Sequence, residues 1–264
     1  MAGAGNDFII IEAMNTDYRK LALKVCDRTG GIGADGLIVL DKSRSSDYRM
    51  RIINADGSEA EMCGNGVRCL AAYIVRTRKP KKKLFSIETL AGEILAEAKD
   101  EVANVRLSNP VGYRSDIPLT VNRRKLHVHY IDTGVPHAIV YVDGLKGIDV
   151  STIGRTIRRH KKFAPRGANV NFVEQLKSNL VEVRTYERGV EDETKACGTG
   201  AVAVALVSYL KSHPGVHSKK GACMHVLTRS GETLQVVFDK AGDTLSGVWL
   251  KGSAKFIASG EYFY

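Results

Sequence analysis

The chain has little of what would tie it to a membrane, an oxidising compartment or a bound metal. Its longest unbroken apolar run is Ala201–Val207, far short of the ~20 residues that cross a bilayer. The opening Met1-Ala2-Gly3-Ala4-Gly5-Asn6-Asp7 has no basic flank ahead of an apolar stretch, so no signal peptide is expected. There are five cysteines, an odd number, and no C-x-x-C pair, which argues against a disulfide framework and against a four-thiolate zinc site. Reduced thiols in a cytoplasmic protein are the expectation. The net charge of +10 is concentrated in two runs, Arg76–Lys83 and Arg155–Lys162. Neither interleaves aromatics as a single-strand-binding surface does, so both read as solvated faces rather than as a nucleic-acid footprint. At 264 residues, with 44% hydrophobic and 26% charged residues, the chain can fill a sizeable core, and disorder as its main state is excluded.

What is present is a repeat. Cys63-Gly64-Asn65-Gly66 returns as Cys197-Gly198-Thr199-Gly200, and Gly33-Ala34-Asp35 as Gly167-Ala168-Asn169, both 134 residues on. Thr89–Leu95 returns at Thr228–Leu234, and Asn6–Ile11 lies against His137–Val142. Four matches in the same order at about half the chain length predict two lobes of like topology related by a pseudo-two-fold axis. The boundaries read as 1–115 for the first lobe and 116–251 for the second, with the tail 252–264 returning to the first.

Local patterns agree. In the first half Asp7–Glu12 reads as a buried strand, and Asp17–Arg28 as a helix capped by Asp17 or Thr16. Leu37–Leu40, Tyr48–Ile53, Leu84–Glu88, Gly92–Ala98 and Val102–Ser108 read as strands around a helix at Val67–Thr77. The second half gives a strand at Ala138–Val142, a helix at Ser151–His160 capped by Ser151, strands at Asn171–Glu174 and Leu180–Tyr186, and a nearly all-apolar helix at Ala201–Ser212. Strands at Met224–Thr228, Thr233–Phe238 and Thr244–Leu250 follow, with a last one at Ala254–Ile257. The class is α+β: two pseudo-symmetric lobes, each a mixed or antiparallel β-sheet wrapped around one central helix.

Cys63 and Cys197 each stand at the first turn of such a helix. Unpaired backbone N–H groups and the positive end of the helix dipole stabilise a thiolate there. Flanking glycines admit a ligand close to the backbone, and the same N–H groups suit a carboxylate. Pseudo-symmetry would bring the two helix starts face to face across a cleft. Two thiols on opposite sides of one carbon can invert a stereocentre: one removes the α-proton, the other returns a proton to the opposite face. His137 and Glu187, at strand ends, could accept a thiol proton, and Arg188 could pair with a carboxylate.

With these residues the chain resembles the diaminopimelate epimerase family over essentially its whole length. The resemblance is carried by Gly3-Ala4-Gly5-Asn6-Asp7-Phe8, Asn54-Ala55-Asp56-Gly57-Ser58-Glu59, Cys63-Gly64-Asn65-Gly66-Val67-Arg68-Cys69, Pro136-His137, Asn169, Tyr186-Glu187-Arg188-Gly189 and Ala196-Cys197-Gly198-Thr199-Gly200. It implies interconversion of LL- and meso-2,6-diaminopimelate in lysine biosynthesis, with Cys63 and Cys197 as the acid–base pair and His137 and Glu187 tuning the thiols. It implies that Asn6, Asn54, Asn65, Asn169, Glu187 and Arg188 hold the substrate, with Gly64, Gly198 and Thr199 supplying donors near the reacting centre. It further implies no cofactor, no metal, a small-molecule substrate, a homodimer and closure of the lobes. Three departures stand out: Gly36 where some members have Gln, Val135 where many have Asn before Pro-His, and a Gly189–Thr194 segment one residue longer than in some relatives.

Other readings predict other behaviour. A proline-racemase-like or phenazine-type isomerase should lack Asn54-Ala55-Asp56-Gly57 and Glu187-Arg188. A redox sensor should rest as a disulfide. A metal site at His213 and His217 is disfavoured by Pro214 between them.

Overall fold

The structure, a computed structural model, describes residues 1–121 and 124–263. Chain contacts divide it into two units, residues 1–106 with 251–264, and residues 107–250.

In the first unit the order is β1 (Ala2–Gly3), β2 (Asn6–Glu12), α1 (Tyr18–Val25), β3 (Gly36–Asp41), β4 (Tyr48–Asn54), β5 (Glu59–Ala60), α2 (Gly64–Arg78), β6 (Phe85–Thr89), β7 (Gly92–Lys99) and β8 (Val102–Arg106). β2 runs parallel to β3, and β3 antiparallel to β4. β4 is parallel to β6, and β6 to β8 form an antiparallel meander. Asp17 caps α1 through the N–H groups of Arg19 and Lys20, stabilising it by about 1 kcal/mol. The helix then buries Leu21, Ala22 and Val25 against Leu37, Val39 and Ile53, each such aliphatic side chain contributing roughly 1.5–3 kcal/mol. α2 runs through this sheet, in contact with β2, β3, β4, β7 and β8, and buries Asn65 through Ala72.

The second unit comprises β9 (Val111–Val121), β10 (Arg124–Asp132), β11 (Pro136–Tyr141), α3 (Val150–Arg158), β12 (Asn169–Lys177), β13 (Leu180–Glu187), β14 (Asp192–Thr194), α4 (Gly198–Ser212), β15 (Ser218–Thr228), β16 (Thr233–Ala241) and most of β17 (Thr244–Ser253). β11 is parallel to β12, β12 antiparallel to β13, β13 parallel to β15, and β15 antiparallel to β16. α4 is buried continuously from Gly200 to Tyr209 and touches β10 to β13, β15 and β16. That is why its sequence is apolar on every face. α3 lies so close to β13 that a Cβ on Gly154 would sit 2.5 Å from the Cβ of Tyr186.

The pairings therefore repeat strand for strand. β2-α1-β3-β4-β5-α2-β6-β7 has the connectivity of β11-α3-β12-β13-β14-α4-β15-β16. The register refines the sequence match: Gly36 and Asn169 open the equivalent strands, one residue off the Gly33–Asp35 match, and Phe8 pairs with Gly36 as His137 does with Asn169. In that register Phe8, not Asn6, is the counterpart of His137. A run of apolar residues carries no marker of register by itself, whereas the ladder does.

Other local expectations shift. α3 begins at Val150 with Asp149 as cap, its carboxylate accepting from Thr152 N, so Ser151 lies inside the first turn. Ala254–Ile257 is not a strand; Ala2 and Lys255 form a single bridge, their N–H and C=O groups exchanging bonds of 2.8 and 2.7 Å. The hairpin of β9 and β10 was not foreseen. Pro118 and a scatter of charges mask it, although Leu119 and Val121 alternate inward.

Candidate active site

Cys63 immediately precedes α2 in an extended conformation (φ −141°, ψ 117°). The first intrahelical bond runs from Val67 N to Cys63 O, 2.8 Å. The N–H groups of Gly64, Asn65 and Gly66 thus have no acceptor within the helix, and the dipole adds its positive end.

Beside it lies a directional chain of side chains. Arg68, wholly buried, donates Nη2 to Asn65 Oδ1 at 2.7 Å. Asn65 Nδ2 donates to Asn6 Oδ1 at 2.7 Å, and Asn6 Nδ2 donates to Asp35 Oδ2 at 2.8 Å. Arg28 holds the far end, bridging Asp7 and Asp35 with its Nη2 2.7 Å from each; this lowers the pKa of Asp7 and raises that of Arg28. Both amides are locked by partners that only donate or only accept, so each keeps one N–H and one lone pair in a fixed direction for a ligand. Asn54 ends β4 and donates Nδ2 to Ser58 Oγ at 2.9 Å, across a turn in which Gly57 adopts φ +81°.

Cys197 stands before α4 in the same way (φ −117°, ψ 115°), with Ala201 N bonded to Cys197 O at 2.8 Å. Its Sγ lies 3.5 Å from Thr199 Oγ1. Thr199 Oγ1 is 3.1 Å from His137 Nε2, and Thr199 O accepts from Thr133 Oγ1 at 3.1 Å. His137 is fully buried; that burial, with the nearby Arg188 charge, pushes its pKa down to about 3. Its Nδ1 faces Asn171 Nδ2 at 3.1 Å. Asn169 Oδ1 accepts from the backbone N–H of Arg188 at 2.7 Å, and its Nδ2 donates to Pro136 O at 3.3 Å. Burial raises the pKa of Glu187, an effect partly offset by the Thr194 hydroxyl.

None of the five cysteines is disulfide-bonded. Burial pushes the Cys26 thiol up to about 11, which suits a small core residue rather than a reactive one. His213 ends α4, stacked on Tyr209 with ring centroids 4.3 Å apart and its Nδ1 3.1 Å from Tyr209 O; it acts as a helix terminus. No helix among the described residues is long and apolar enough to cross a membrane.

A family model described as diaminopimelate epimerase matches residues 1–111 and 129–257. The chain belongs to the diaminopimelate epimerase family. Relatives so named from Aquifex aeolicus (strain VF5) and Chlorobaculum tepidum are each 39% identical to it, over 99% and 98% of this chain and 95% and 98% of their own lengths. Among solved structures, a phenazine biosynthesis protein of the PhzF family from Bacillus anthracis superposes with a TM-score of 0.71 at 17% identity, covering 96% of this chain and 92% of that one. A probable proline racemase from Agrobacterium radiobacter gives 0.66 at 16% identity, covering 96% and 87%. At these identities the structures show a shared fold.

Of the site residues read from sequence, Cys63 precedes α2, and Gly64 and Gly198 open α2 and α4; the other nine fall into four groups. Asn6 and Asn65 are joined directly. Cys197, Thr199 and His137 form one hydrogen-bonded row. Asn169 and Arg188 are tied through the backbone. Asn54 and Glu187 each close the strand that leads toward a cysteine-bearing helix. The sequence reading missed Arg68, Asp35 and Asn171, which touch these residues, and Thr185, which holds Asn171. Arg68 was visible as an i+3 neighbour of Asn65 on α2; the other three become neighbours only through the sheet register.

Proposed function

We propose that the chain is a cofactor-independent isomerase that interconverts LL- and meso-2,6-diaminopimelate by proton transfer at one α-carbon. The observation that carries this reading is the duplicated thiol. In two units of the same connectivity, a cysteine occupies the residue before a 15-residue helix, where the backbone favours its anionic form. One cysteine, as thiolate, takes the α-hydrogen from one face of the carbon, and the C–H electron pair stays on the carbon as a carbanion delocalised into its carboxylate. The other, as thiol, donates its proton to the opposite face. In the reverse direction the two exchange roles. Free N–H groups at a helix start suit the carboxylate on which charge accumulates.

The fixed amides of Asn6 and Asn65, with Asn54, Asn169 and the Arg188 guanidinium, recognise the distal ammonium and carboxylate. Family membership supports this assignment, as does the polar lock on each amide. The substrate is a small amino acid, the place of action the cytoplasm and the assembly a homodimer.

The test is a substrate panel with purified, reduced protein and no added cofactor: LL-diaminopimelate, proline and hydroxyproline. Epimerisation of diaminopimelate alone supports the reading. Turnover of proline without diaminopimelate would replace it by a proline-racemase-like activity.

A further inference from the structure

The buried side chain of Asn171 has no part in the scheme above, yet it contacts His137. Asn171 is fully buried on β12. Its Oδ1 accepts the Thr185 hydroxyl at 3.0 Å, and its Nδ2 reaches Ala138 O at 3.2 Å. A carbonyl oxygen can only accept, so Ala138 O fixes which end of the amide is nitrogen, and the Thr185 hydroxyl donates to the other end. The atom facing His137 Nδ1 at 3.1 Å is therefore a donor, and Nδ1 must accept. A neutral imidazole that accepts at Nδ1 carries its hydrogen on Nε2. Nε2–H then donates to Thr199 Oγ1 at 3.1 Å, which leaves the hydroxyl hydrogen of Thr199 for Cys197 Sγ at 3.5 Å.

We propose that Asn171 is a positioning residue: it locks His137 in the Nε2–H tautomer and thereby turns the Thr199 hydroxyl into a donor aimed at the Cys197 sulfur. The row Asn171→His137→Thr199→Cys197 points one way and stabilises the thiolate. No proton travels along it, and His137 is a donor here rather than the acceptor of the thiol proton expected from the sequence. The buried, neutral ring agrees, since a group this hard to protonate is a poor base.

The other unit shows that the fold does not require a polar side chain at this place. Ile38 pairs with Ile52 across β3 and β4 as Asn171 pairs with Thr185 across β12 and β13. Asn171 is the side chain nearest to a Cβ placed on Gly200, the second glycine of its Cys-Gly-x-Gly turn, and Ile38 shares that place with Ile52 at Gly66. An aliphatic pair serves in the first unit, where no histidine stands at the Phe8 position. The amide–hydroxyl pair in the second unit accompanies His137.

The role rests on the epimerase reading for its consequence, but its test needs no substrate. In wild-type protein, 15N NMR of His137 should show hydrogen on Nε2 and a non-protonated Nδ1 from pH 6 to 8; hydrogen on Nδ1 would overturn the proposal. Alkylation of Cys197 by iodoacetamide, followed against pH on its own peptide by mass spectrometry, gives the second readout. Thr199→Val should raise the midpoint by about one pH unit, the loss of one hydrogen bond to a charged group, and Thr199→Ser should restore it. Asn171→Leu, which gives the position the character of Ile38, should shift His137 toward a mixture of tautomers and raise the midpoint. An unmoved midpoint in folded Thr199→Val would contradict the proposal, whatever the substrate panel shows.

Discussion

Ile38 and Asn171 occupy the same position in the two units, each on the third strand residue of its Gly36- or Asn169-initiated strand and each beneath the cysteine turn. A Cβ on Gly200 would lie 2.6 Å from Asn171 Oδ1 and 3.2 Å from Cys197 Cβ; for one on Gly66 the nearest atoms are the Ile38 and Ile52 methyl groups at 3.2 Å and Cys63 Cβ at 3.5 Å. Asn171 cannot yield, because Thr185 and Ala138 hold it. Gly200→Ala should therefore cost about 1–3 kcal/mol in denaturant unfolding and lower kcat sharply, with Gly66→Ala costing less on both counts. Equal effects would show that the two turns do not differ in rigidity.

Arg68 orients Asn65 and, through it, Asn6. In Arg68→Leu the buried Asn65 Oδ1 loses its donor, at about 1–3 kcal/mol. The amide is then free to turn, so KM for diaminopimelate should rise at least about tenfold by that loss of fixed hydrogen bonds, more than kcat falls. An unchanged KM would remove Arg68 from the binding machinery.

His137 links stability to acidity. Its pKa lies near 3 in the folded protein and near 6.5 when unfolded, so between those values the unfolded chain binds more protons. The stability it contributes is complete above about pH 6.5 and declines as pH falls, by up to about 1.4 kcal/mol per pH unit. His137→Gln should flatten that part of the stability–pH curve. An unaltered slope would mean that His137 is not held neutral.

Glu187 has the opposite sign. Burial raises its pKa, so the folded form holds the proton more tightly and ionisation at higher pH costs stability. Glu187→Gln lacks this cost; its stability relative to wild type should climb with pH across the titration of Glu187. On the reading that Glu187 takes up a thiol proton, the same variant should lower kcat by roughly 10²-fold or more. A variant with wild-type kcat would leave Glu187 a structural residue.

Much of this was legible in the sequence, for physical reasons that can be named. The Cys-Gly-x-Gly turns announce themselves because a glycine-flanked thiol before an apolar helix is chemically unusual, and α4 because it is apolar on all faces. Asp17 is a cap with its helix directly behind it. What was not legible depends on contacts between distant strands. The Phe8 equivalence, the Asn171–His137 bond and the Asn6–Asp35 bond exist only once β2 lies beside β3 and β11 beside β12. β9 and β10 were missed because Pro118 and charged residues hide an alternation that only the folded hairpin reveals.

The most direct measurement of the central claim is epimerisation of LL-diaminopimelate in deuterated water by reduced protein without added cofactor, beside Cys63→Ala and Cys197→Ala. Wild-type protein should deliver meso product with one deuterium at the inverted carbon, and each alanine variant should form none. Wild-type epimerisation by either variant would contradict the two-thiol account.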